Sequence, residues 1–522
     1  MSYENIQLLF LDEVDKFGSL SPEFRFFLPI VGACFIIAFA YLTGFKHYRM
    51  GIPFVIHRVK KFHGIMPFRT TLNQFFGGMV ALASGFSVGR EGPSVHLGAA
   101  GSSFIGQWLE LPYNSIRILT GCGIAAGISA SFNTPLAAVL FVMEVVLREY
   151  KLHIFIPVML AAACGSVLTS MVFGNSHELD FLQVADFPVW MYLYFILFGA
   201  ILGAIASFFN FQVMRIMKLF RPVAMINRLL LAGIITGLIG YFVPQSMGTG
   251  ISAMQWVLET PDNFQLLLYI LIAKFALTVF AISLGIPGGI IGPVLGIGVL
   301  LGAVLLYPLI PILGDPAHLT SSFALLGMAA FLTAVLHAPL AALTSIMELS
   351  NSTDVILPAM LVIVPAYVVA NQFFGNRSIF IMQLDYQKLA YTTSSIRATL
   401  EKVGVMSIVD REYKLFIDAA EHHILAFLDT APTHPVVLKS SYEIDAEYHL
   451  VQYDFSLNPH EENALTFSQM QGVPMQATLA EVYELLQNKR SGAVYIYGKT
   501  PNSIVGVITW DMVRSYLYKQ EY

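Results

Sequence analysis

The sequence predicts an all-α polytopic membrane protein followed by a smaller α/β soluble domain. Three observations support this fold class. First, 56% of the 522 residues are hydrophobic and only 12% are charged, whereas soluble proteins are about one quarter charged. Second, the apolar runs are long and do not alternate with polar residues, which favours helices over a barrel. Third, the hydropathy falls sharply after residue 375.

The apolar runs follow one another with few charges. The first spanning candidate covers residues 26–45, and the basic residues after it, such as Lys46, Arg58 and Lys60, indicate a cytoplasmic loop. Further apolar stretches cover residues 71–108, 116–147, 154–173, 188–212, 228–243, 265–284, 294–314, 322–347 and 354–374. Several contain Gly and Pro, and irregular backbone at membrane depth is tolerated where it lines a cavity.

The chain divides into a polar N-terminal segment (1–24), a transmembrane domain (25–384) and a cytoplasmic domain (385–522). Its three cysteines lie in apolar stretches and are predicted to pack rather than to form a disulfide or a metal site. The net charge of −5 gives no indication of a nucleic-acid partner. The apolar halves show no nucleophile–base or metal-ligand set, so we do not predict an enzyme.

The stretch from Val88 to Val95 organises the transmembrane domain. It places Arg90 and Glu91 between glycines inside an otherwise apolar region. Ionisable groups at membrane depth mark ion or proton pathways. Pro93 suits a first helical turn, so we predict an unwound segment that leads into a helix N-terminus and favours an anion.

An internal repeat relates two halves of this domain, at about 25–180 and 185–384. Three elements recur in the same order: residues 132–144 at 336–348, residues 89–98 at 289–298, and Gly51–Ile52 at Gly250–Ile251. Paired segments interrupted by Gly and Pro point to a substrate site near the membrane midplane. Three helix N-termini, near Gly51, Gly89 and Gly289, are therefore predicted to converge on one dehydrated anion.

These motifs resemble the CLC family of chloride channels and proton-coupled chloride transporters, across about residues 22–384. Residues 89–93 carry the GREGP motif intact, 289–293 resemble GxFxP, and 50–53 resemble the end of GSGIP. The resemblance implies an inverted repeat of tilted and broken helices. It also implies a homodimer with one anion pathway per subunit, in contact with lipid in a bacterial cytoplasmic membrane.

The resemblance also assigns roles. Glu91 is expected to be the external gate and proton carrier, because its carboxylate imitates an anion and leaves the pathway on protonation. The backbone N–H groups of Ile290 and Ile291 are expected to hold the central chloride. The other predicted anion-binding residues are Met50, Gly51, Arg90, Gly92 and Phe380. Bound chloride is the only ligand expected in this domain.

Two departures from the family concern the anion site. Met50 stands where a serine is usual, and Phe380 stands where a tyrosine is usual. Neither side chain offers a useful hydrogen-bond donor. A fluoride-exporting branch of the family also has Met at the serine position, so fluoride/proton antiport is an alternative. That branch typically keeps the tyrosine.

A third departure concerns protons. Many coupled members have consecutive glutamates, the second of which is the internal proton station, but here Val145 follows Glu144. Valine cannot carry a proton, which favours a passive voltage-dependent channel as a second alternative. Glu144 is expected to be a structural carboxylate. His96 and His337 are expected to be satisfied packing residues rather than proton stations.

The two ends of the chain complete the comparison. Residues 1–24 are too short to form the long first helix of the family. With that span missing, the N-terminus is predicted to lie outside while the tail stays cytoplasmic. The tail has the length of a paired CBS module. Only the second unit of that module can be recognised in the sequence. Thr509 and Asp511 resemble its ribose-binding pattern, so an adenine nucleotide is a candidate ligand of the tail. The alternatives are a domain that stabilises the dimer, or a nucleotide sensor with a degenerate pore.

Overall fold

The structure, a computed structural model, describes residues 2–44, 51–174, 187–259, 263–310, 317–391, 395–431, 434–442, 445–453 and 465–519. Two compact units form, one from residues 1–105 and 118–391 and the other from residues 106–117 and 392–522. The first is helical throughout its described part and the second is of α/β type, which confirms the predicted fold class.

The first half contains two short and six longer helices in its described part. They are α1 (Ser2–Gln7), α2 (Pro22–Leu42), α3 (Ile52–Lys61), α4 (Phe68–Ala83), α5 (Glu91–Trp108), α6 (Tyr113–Phe132), α7 (Pro135–Phe141) and α8 (Leu152–Phe173). A π-helical turn, Val142–Leu147, continues α7.

The second half repeats this order. Its described helices are α9 (Met191–Leu219), α10 (Met225–Phe242), α11 (Ile251–Glu259), α12 (Phe264–Leu284), α13 (Ile291–Leu306), α14 (Ala317–Leu336), α15 (Pro339–Leu349), α16 (Ile356–Val368) and α17 (Ile379–Gln387). Across the described residues of both halves, nine helices are long and apolar enough to cross a membrane. The prediction of an integral, multi-pass membrane protein is confirmed.

Equivalent breaks divide apolar stretches that look continuous in the sequence. Asn133 and His337 both have a positive φ, 54° and 56°, and each ends a long helix. A proline at the first position of the next helix, Pro135 or Pro339, follows two residues later. Proline fits there because its missing N–H has no intrahelical acceptor in any case. The residue pattern of the repeat thus fixes the same helix–break–helix unit twice.

The α/β unit contains two sheets. Strands β1 (Lys414–Ile417), β2 (Val436–Tyr442), β3 (Asp445–Tyr453) and β4 (Leu465–Gln469) form one sheet in that order, and β5 (Gln471–Pro474), β6 (Ala493–Tyr497) and β7 (Ile504–Thr509) form the other. Its described helices are α18 (Ser395–Leu400), α19 (Glu421–Thr430), α20 (Leu479–Leu486) and α21 (Trp510–Lys519). A capping box of Thr478 and Glu481 starts α20.

Candidate functional site

The two glycine-rich loops of the repeat meet directly. Gly89 donates its N–H to the carbonyl of Gly289 at 2.8 Å, and Gly289 donates to the carbonyl of Gly89 at 2.6 Å. The pairing is antiparallel. It brings the start of α5 against the start of α13. A Cβ built on Gly51, at the start of α3, would lie 3.9 Å from the carbonyl oxygen of Gly288. The three helix N-termini therefore converge, as the sequence predicted.

Glu91 lies at this convergence. Its side chain is 1% exposed, and its Oε1 accepts the N–H of Gly292 at 2.9 Å. Gly292 belongs to the first turn of α13, whose N–H groups lack intrahelical acceptors and carry a partial positive charge. The carboxylate thus occupies a position at a helix N-terminus that suits an anion.

Glycine is required at two positions around this carboxylate. A Cβ built on Gly89 would overlap the carboxylate of Glu91, and so would a Cβ built on Gly289. At Gly289 the Cβ would also come within 2.8 Å of the backbone nitrogen of Gly92. The glycines of the two motifs therefore make room for the side chain of Glu91 between the paired loops.

Arg90 points into a different space from Glu91. Its Nη1 lies 3.4 Å from Oε1 of Glu4, and its guanidinium carbon lies 4.9 Å from the ring centre of Phe132. Both partners line, with Arg90, a cavity of about 820 Å³. The N-terminal segment, which had no predicted role, thus contacts the residue next to Glu91.

A second cavity, of about 130 Å³, leads to the paired loops and is called the inner cavity here. It is lined by Gly51, Ile52, Pro53, Gln74, Met217, Arg228, Ile282, Ser283, Gly285, Ile286, Pro287, Gly288, Gly289, Ile290, Phe380, Gln383, Tyr386 and Gln387. Three of the predicted anion-binding residues therefore share one cavity: Gly51, Ile290 and Phe380. Ile291 lines a separate small apolar cavity, and Met50 lies outside the described residues.

The helices around the inner cavity receive no cap from their own N-cap residues. Gly51 precedes α3 and Ile290 precedes α13, and neither caps its helix with a side-chain hydrogen bond. The side-chain bond at the start of α13 comes from Glu91. Phe380 is 2% exposed, and its ring packs edge-on against Phe141 with centres 6.5 Å apart. The described part of this site therefore offers backbone N–H groups to an anion, and Phe380 has no hydroxyl group to add to them.

The sequence profile that describes voltage-gated chloride channels matches residues 32–371. The chain belongs to this family. A relative named H(+)/Cl(−) exchange transporter ClcA, from Klebsiella pneumoniae subsp. pneumoniae, is 31% identical over 346 residues, which is 63% of this chain and 72% of the relative.

Solved structures of the CLC family have the same fold. A CLC-type fluoride/proton antiporter is 26% identical, with a TM-score of 0.58 over 73% of this chain and 92% of that structure. A eukaryotic CLC transporter, 17% identical, has a TM-score of 0.60 and covers 98% of this chain and 93% of its own length. The second match extends the fold similarity through the α/β unit.

Glu144 and its repeat counterpart Glu348 cap helices reciprocally in this CLC chain. The carboxylate of Glu144 accepts the N–H of Leu340 at 3.4 Å and that of Ala341 at 2.9 Å. Glu348 accepts the N–H groups of Leu136 and Ala137, both at 2.8 Å. Each glutamate thus binds the N-terminus of the short helix in the opposite half.

Val145 and His96 are buried, and His337 is partly buried. Val145 is 6% exposed, within the π-helical turn. His96 is fully buried and stacks on Phe54, but neither ring nitrogen has a hydrogen-bond partner among the described residues. Nε2 of His337 likewise has none within that part of the chain. The predicted packing role of the two histidines therefore stays a prediction.

Asp15 and Lys274 are buried charges that the sequence analysis missed. The Asp15 carboxylate accepts the N–H of Thr249 at 2.7 Å and also its hydroxyl, while Lys274 donates to the carbonyl of Gly248 at 2.6 Å. Burial raises the pKa of Asp15, and the hydrogen bonds and the charge of Lys274 oppose this effect. The signal in the sequence that could have revealed this buried pair was Lys274, a lone lysine in the apolar run of α12.

The loop held by these two charges is the second-half counterpart of the loop at Gly51. The carbonyl of Thr249 and Oε1 of Glu91 both lie within 4 Å of the position that a Cβ on Gly292 would take. Gln7 extends the contact, because its Nε2 donates to the carbonyl of Leu82 at 3.0 Å and its Oε1 accepts the N–H of Asp15 at 2.9 Å. The N-terminal segment therefore supports the wall beside Glu91.

The two tail candidates lie at the start of α21. Thr509 ends β7, and its hydroxyl accepts the N–H of Met512 at 3.4 Å. Asp511 is exposed and pairs with Arg514 at 3.0 Å. Both side chains are thus engaged in local contacts of the helix N-terminus.

Proposed function

We propose that this chain exchanges chloride for protons across the membrane, with Glu91 as gate and proton carrier. The observation that carries the proposal is the buried Glu91 carboxylate at the N-terminus of α13, bound to the N–H of Gly292. The ClcA relative, named as an H(+)/Cl(−) exchange transporter, supports the same activity.

The geometry suggests how one event both opens the pathway and moves a proton. The negative charge of Glu91 holds the carboxylate at the helix N-terminus. Protonation removes that charge, so the side chain loses its electrostatic attraction and leaves the space between the loops. A chloride ion then takes the vacated donors. Return of the side chain requires release of its proton and departure of the anion.

The central chloride would rest on the backbone N–H groups of Ile290 and Ile291 and on the N-terminus of α3. Partial charges replace the hydration shell of the ion without a full countercharge. A full positive charge would hold the anion too tightly for turnover, since conduction requires binding weak enough for release. Backbone donors at helix N-termini therefore suit a transported anion.

Protons would need a route to Glu91 that does not depend on Val145. The Glu144 carboxylate is engaged with the N–H groups of α15, which supports a structural role. The inner cavity reaches Gly289 next to the gate and carries polar side chains such as Gln74, Ser283 and Gln383. We propose that water in this cavity conducts the protons.

Two other activities are each supported by a specific observation. Val145 at the internal proton position favours a passive, voltage-dependent chloride channel. Met50 at the serine position favours fluoride/proton antiport, and a CLC-type fluoride/proton antiporter is among the structural neighbours.

Measurement of proton uptake by proteoliposomes under an imposed chloride gradient, and then under a fluoride gradient, separates the three activities. Uphill proton movement with chloride is the expected result. Anion flux without proton movement would establish the channel. Proton movement with fluoride alone would establish the fluoride antiporter.

Assembly and regulation are also proposals. We propose a homodimer in the cytoplasmic membrane of a bacterium, because α8 has only 17% of its span buried and offers a broad apolar face to lipid or a partner.

We further propose that the α/β unit is a CBS-like regulatory domain that binds an adenine nucleotide near Thr509 and Asp511. Titration of the full chain with ATP tests this, and absence of binding would leave dimer stabilisation as the role of the tail.

A further inference from the structure

Gln74 lies on α4 with its side chain fully buried in the wall of the inner cavity. Its Oε1 accepts the backbone N–H of Gly51 at 3.1 Å. A backbone N–H can only donate, so this bond fixes which end of the amide is the oxygen. The Nε2 group is therefore the end left for another partner.

Nε2 of Gln74 is a buried donor without an acceptor among the described residues. Buried donors in native proteins are nearly always paired, so a persistent exception needs an explanation such as a bound ligand. The same cavity contains Gly51, Ile290 and Phe380, which the sequence analysis assigned to the central anion. The donor therefore lies where the proposed substrate binds.

The composition of the inner cavity selects an anion as that ligand. None of the described residues that line it carries a carboxylate, whereas Arg228 and the amide of Gln383 contribute donors. The starts of α3 and α13 add partial positive charge. Phe380 supplies no hydroxyl, and Met50 replaces the serine, so the donors that the family uses are missing from this sequence.

We propose that Gln74 is a specificity-determining ligand of the central anion and supplies, through Nε2, the side-chain donor that serine and tyrosine supply elsewhere in the family. The inference rests on the proposed anion transport. The bond to Gly51 holds the amide in place, so little conformational freedom is lost when the anion binds. A neutral amide also leaves the ion free to depart, as transport requires.

Titration calorimetry of chloride into the purified full-length protein tests the proposal. Gln74→Leu keeps the approximate size of the side chain and removes the donor. Because a hydrogen bond to a charged group is strong, chloride affinity should fall by about tenfold or more. An unchanged affinity would overturn the role of Gln74.

Asn73→Leu is the matched control. Asn73 is the preceding residue of α4, is also a buried amide, and bonds to Thr43 and to the carbonyl of Arg69 outside the inner cavity. This variant should keep the chloride affinity of the unmodified protein. An equal loss in both variants would assign the effect to the packing of α4 and overturn the proposal.

Gln74→Glu keeps the test decisive if Gln74→Leu does not fold. The carboxylate retains an acceptor for the N–H of Gly51 but replaces the donor with a second acceptor, so chloride binding should be lost. Retained binding would overturn the proposal.

Phe380→Tyr added to Gln74→Leu returns a neutral donor to the cavity and should recover the affinity. A persistent loss would mean that Gln74 only positions Gly51, and would overturn its role as a ligand.

The unmodified protein separates this inference from the proposed function. If it neither binds nor transports chloride, the proposed function fails. If it transports chloride and Gln74→Leu binds the ion with unchanged affinity, only the role of Gln74 fails.

Discussion

At the scale of single residues, the decisive feature is the space in which the Glu91 carboxylate lies. It is bounded by the Cα atoms of Gly89, Gly289 and Gly292. A side chain on either of the first two would fill it, and the N–H of Gly292 provides the hydrogen bond that holds the carboxylate. The glycines of the motifs are thus required to make room for the Glu91 side chain.

Gly89→Ala should open the gate permanently. The three atoms nearest to a methyl group on Gly89 all belong to the flexible carboxylate of Glu91, so we expect the side chain to be expelled rather than the backbone to shift. We expect passive anion flux with proton coupling lost or strongly reduced, measured in proteoliposomes. Gly101→Ala in α5 is the control, since its methyl group would meet nothing within 4 Å. Normal coupling in Gly89→Ala would contradict the close fit around the carboxylate.

The sequence drew attention to residues that lie in a motif and gave no sign of polar residues that stand alone. Glu91 was identifiable because two ionisable groups stand between glycines in an apolar run. Gln74 carries no charge and sits in an ordinary helical pattern, so its contact with Gly51 depends on tertiary structure alone. Asp15 lies in a polar segment where its burial leaves no trace in the sequence.

At the scale of helices, Glu144 and Glu348 join the two halves by exchanged caps. Each carboxylate binds two N–H groups of the short helix in the other half. Acidic groups at a helix N-terminus are stabilising because they satisfy free donors and the helix dipole. Helix capping therefore accounts for the presence of a glutamate at this position in both halves of the repeat.

Glu144→Ala should lower stability and leave transport coupling intact. The loss of one cap corresponds to about 1–2 kcal/mol of unfolding free energy, and it should appear as a lower thermal midpoint in detergent. Glu348→Ala is the matched variant and should behave alike, because the contacts are reciprocal. Loss of proton coupling in the first variant alone would identify Glu144 as a proton station.

Asp15→Ala should destabilise the helical unit strongly. It leaves the N–H and hydroxyl of Thr249 without their acceptor and removes the negative charge near buried Lys274. Removal of one member of a buried charged network lowers stability by about 3 kcal/mol or more. Asp12→Ala, at an exposed position of the same segment, should leave the thermal midpoint unchanged. Equal midpoints for the two variants would contradict the supporting role of this segment.

The helices themselves were largely predictable, because spanning segments need long apolar runs. Boundaries inside those runs were not, since the breaks at Asn133 and His337 depend on a positive φ that neither residue type demands. In the α/β unit only the second unit of the paired module was recognisable in the sequence. The strand at Lys414–Ile417 was missed, because it is short and mostly exposed.

At the scale of the whole helical unit, the repeat produces one site from two halves. The antiparallel pairing of Gly89 with Gly289 relates equivalent loops by a local twofold axis, which sequence similarity alone could not reveal. α14 lies at the centre, with 94% of its spanning window buried. The Glu91 carboxylate contacts both halves, which is the arrangement that its proposed gating role requires.

The most direct test of this account is transport by Glu91→Gln in proteoliposomes, with anion flux and proton flux recorded together. Glutamine has nearly the same shape but carries no negative charge and takes up no proton. We expect anion flux to continue passively and proton movement to disappear. Proton coupling that equals that of the unmodified protein would contradict the assignment of Glu91 as gate and proton carrier.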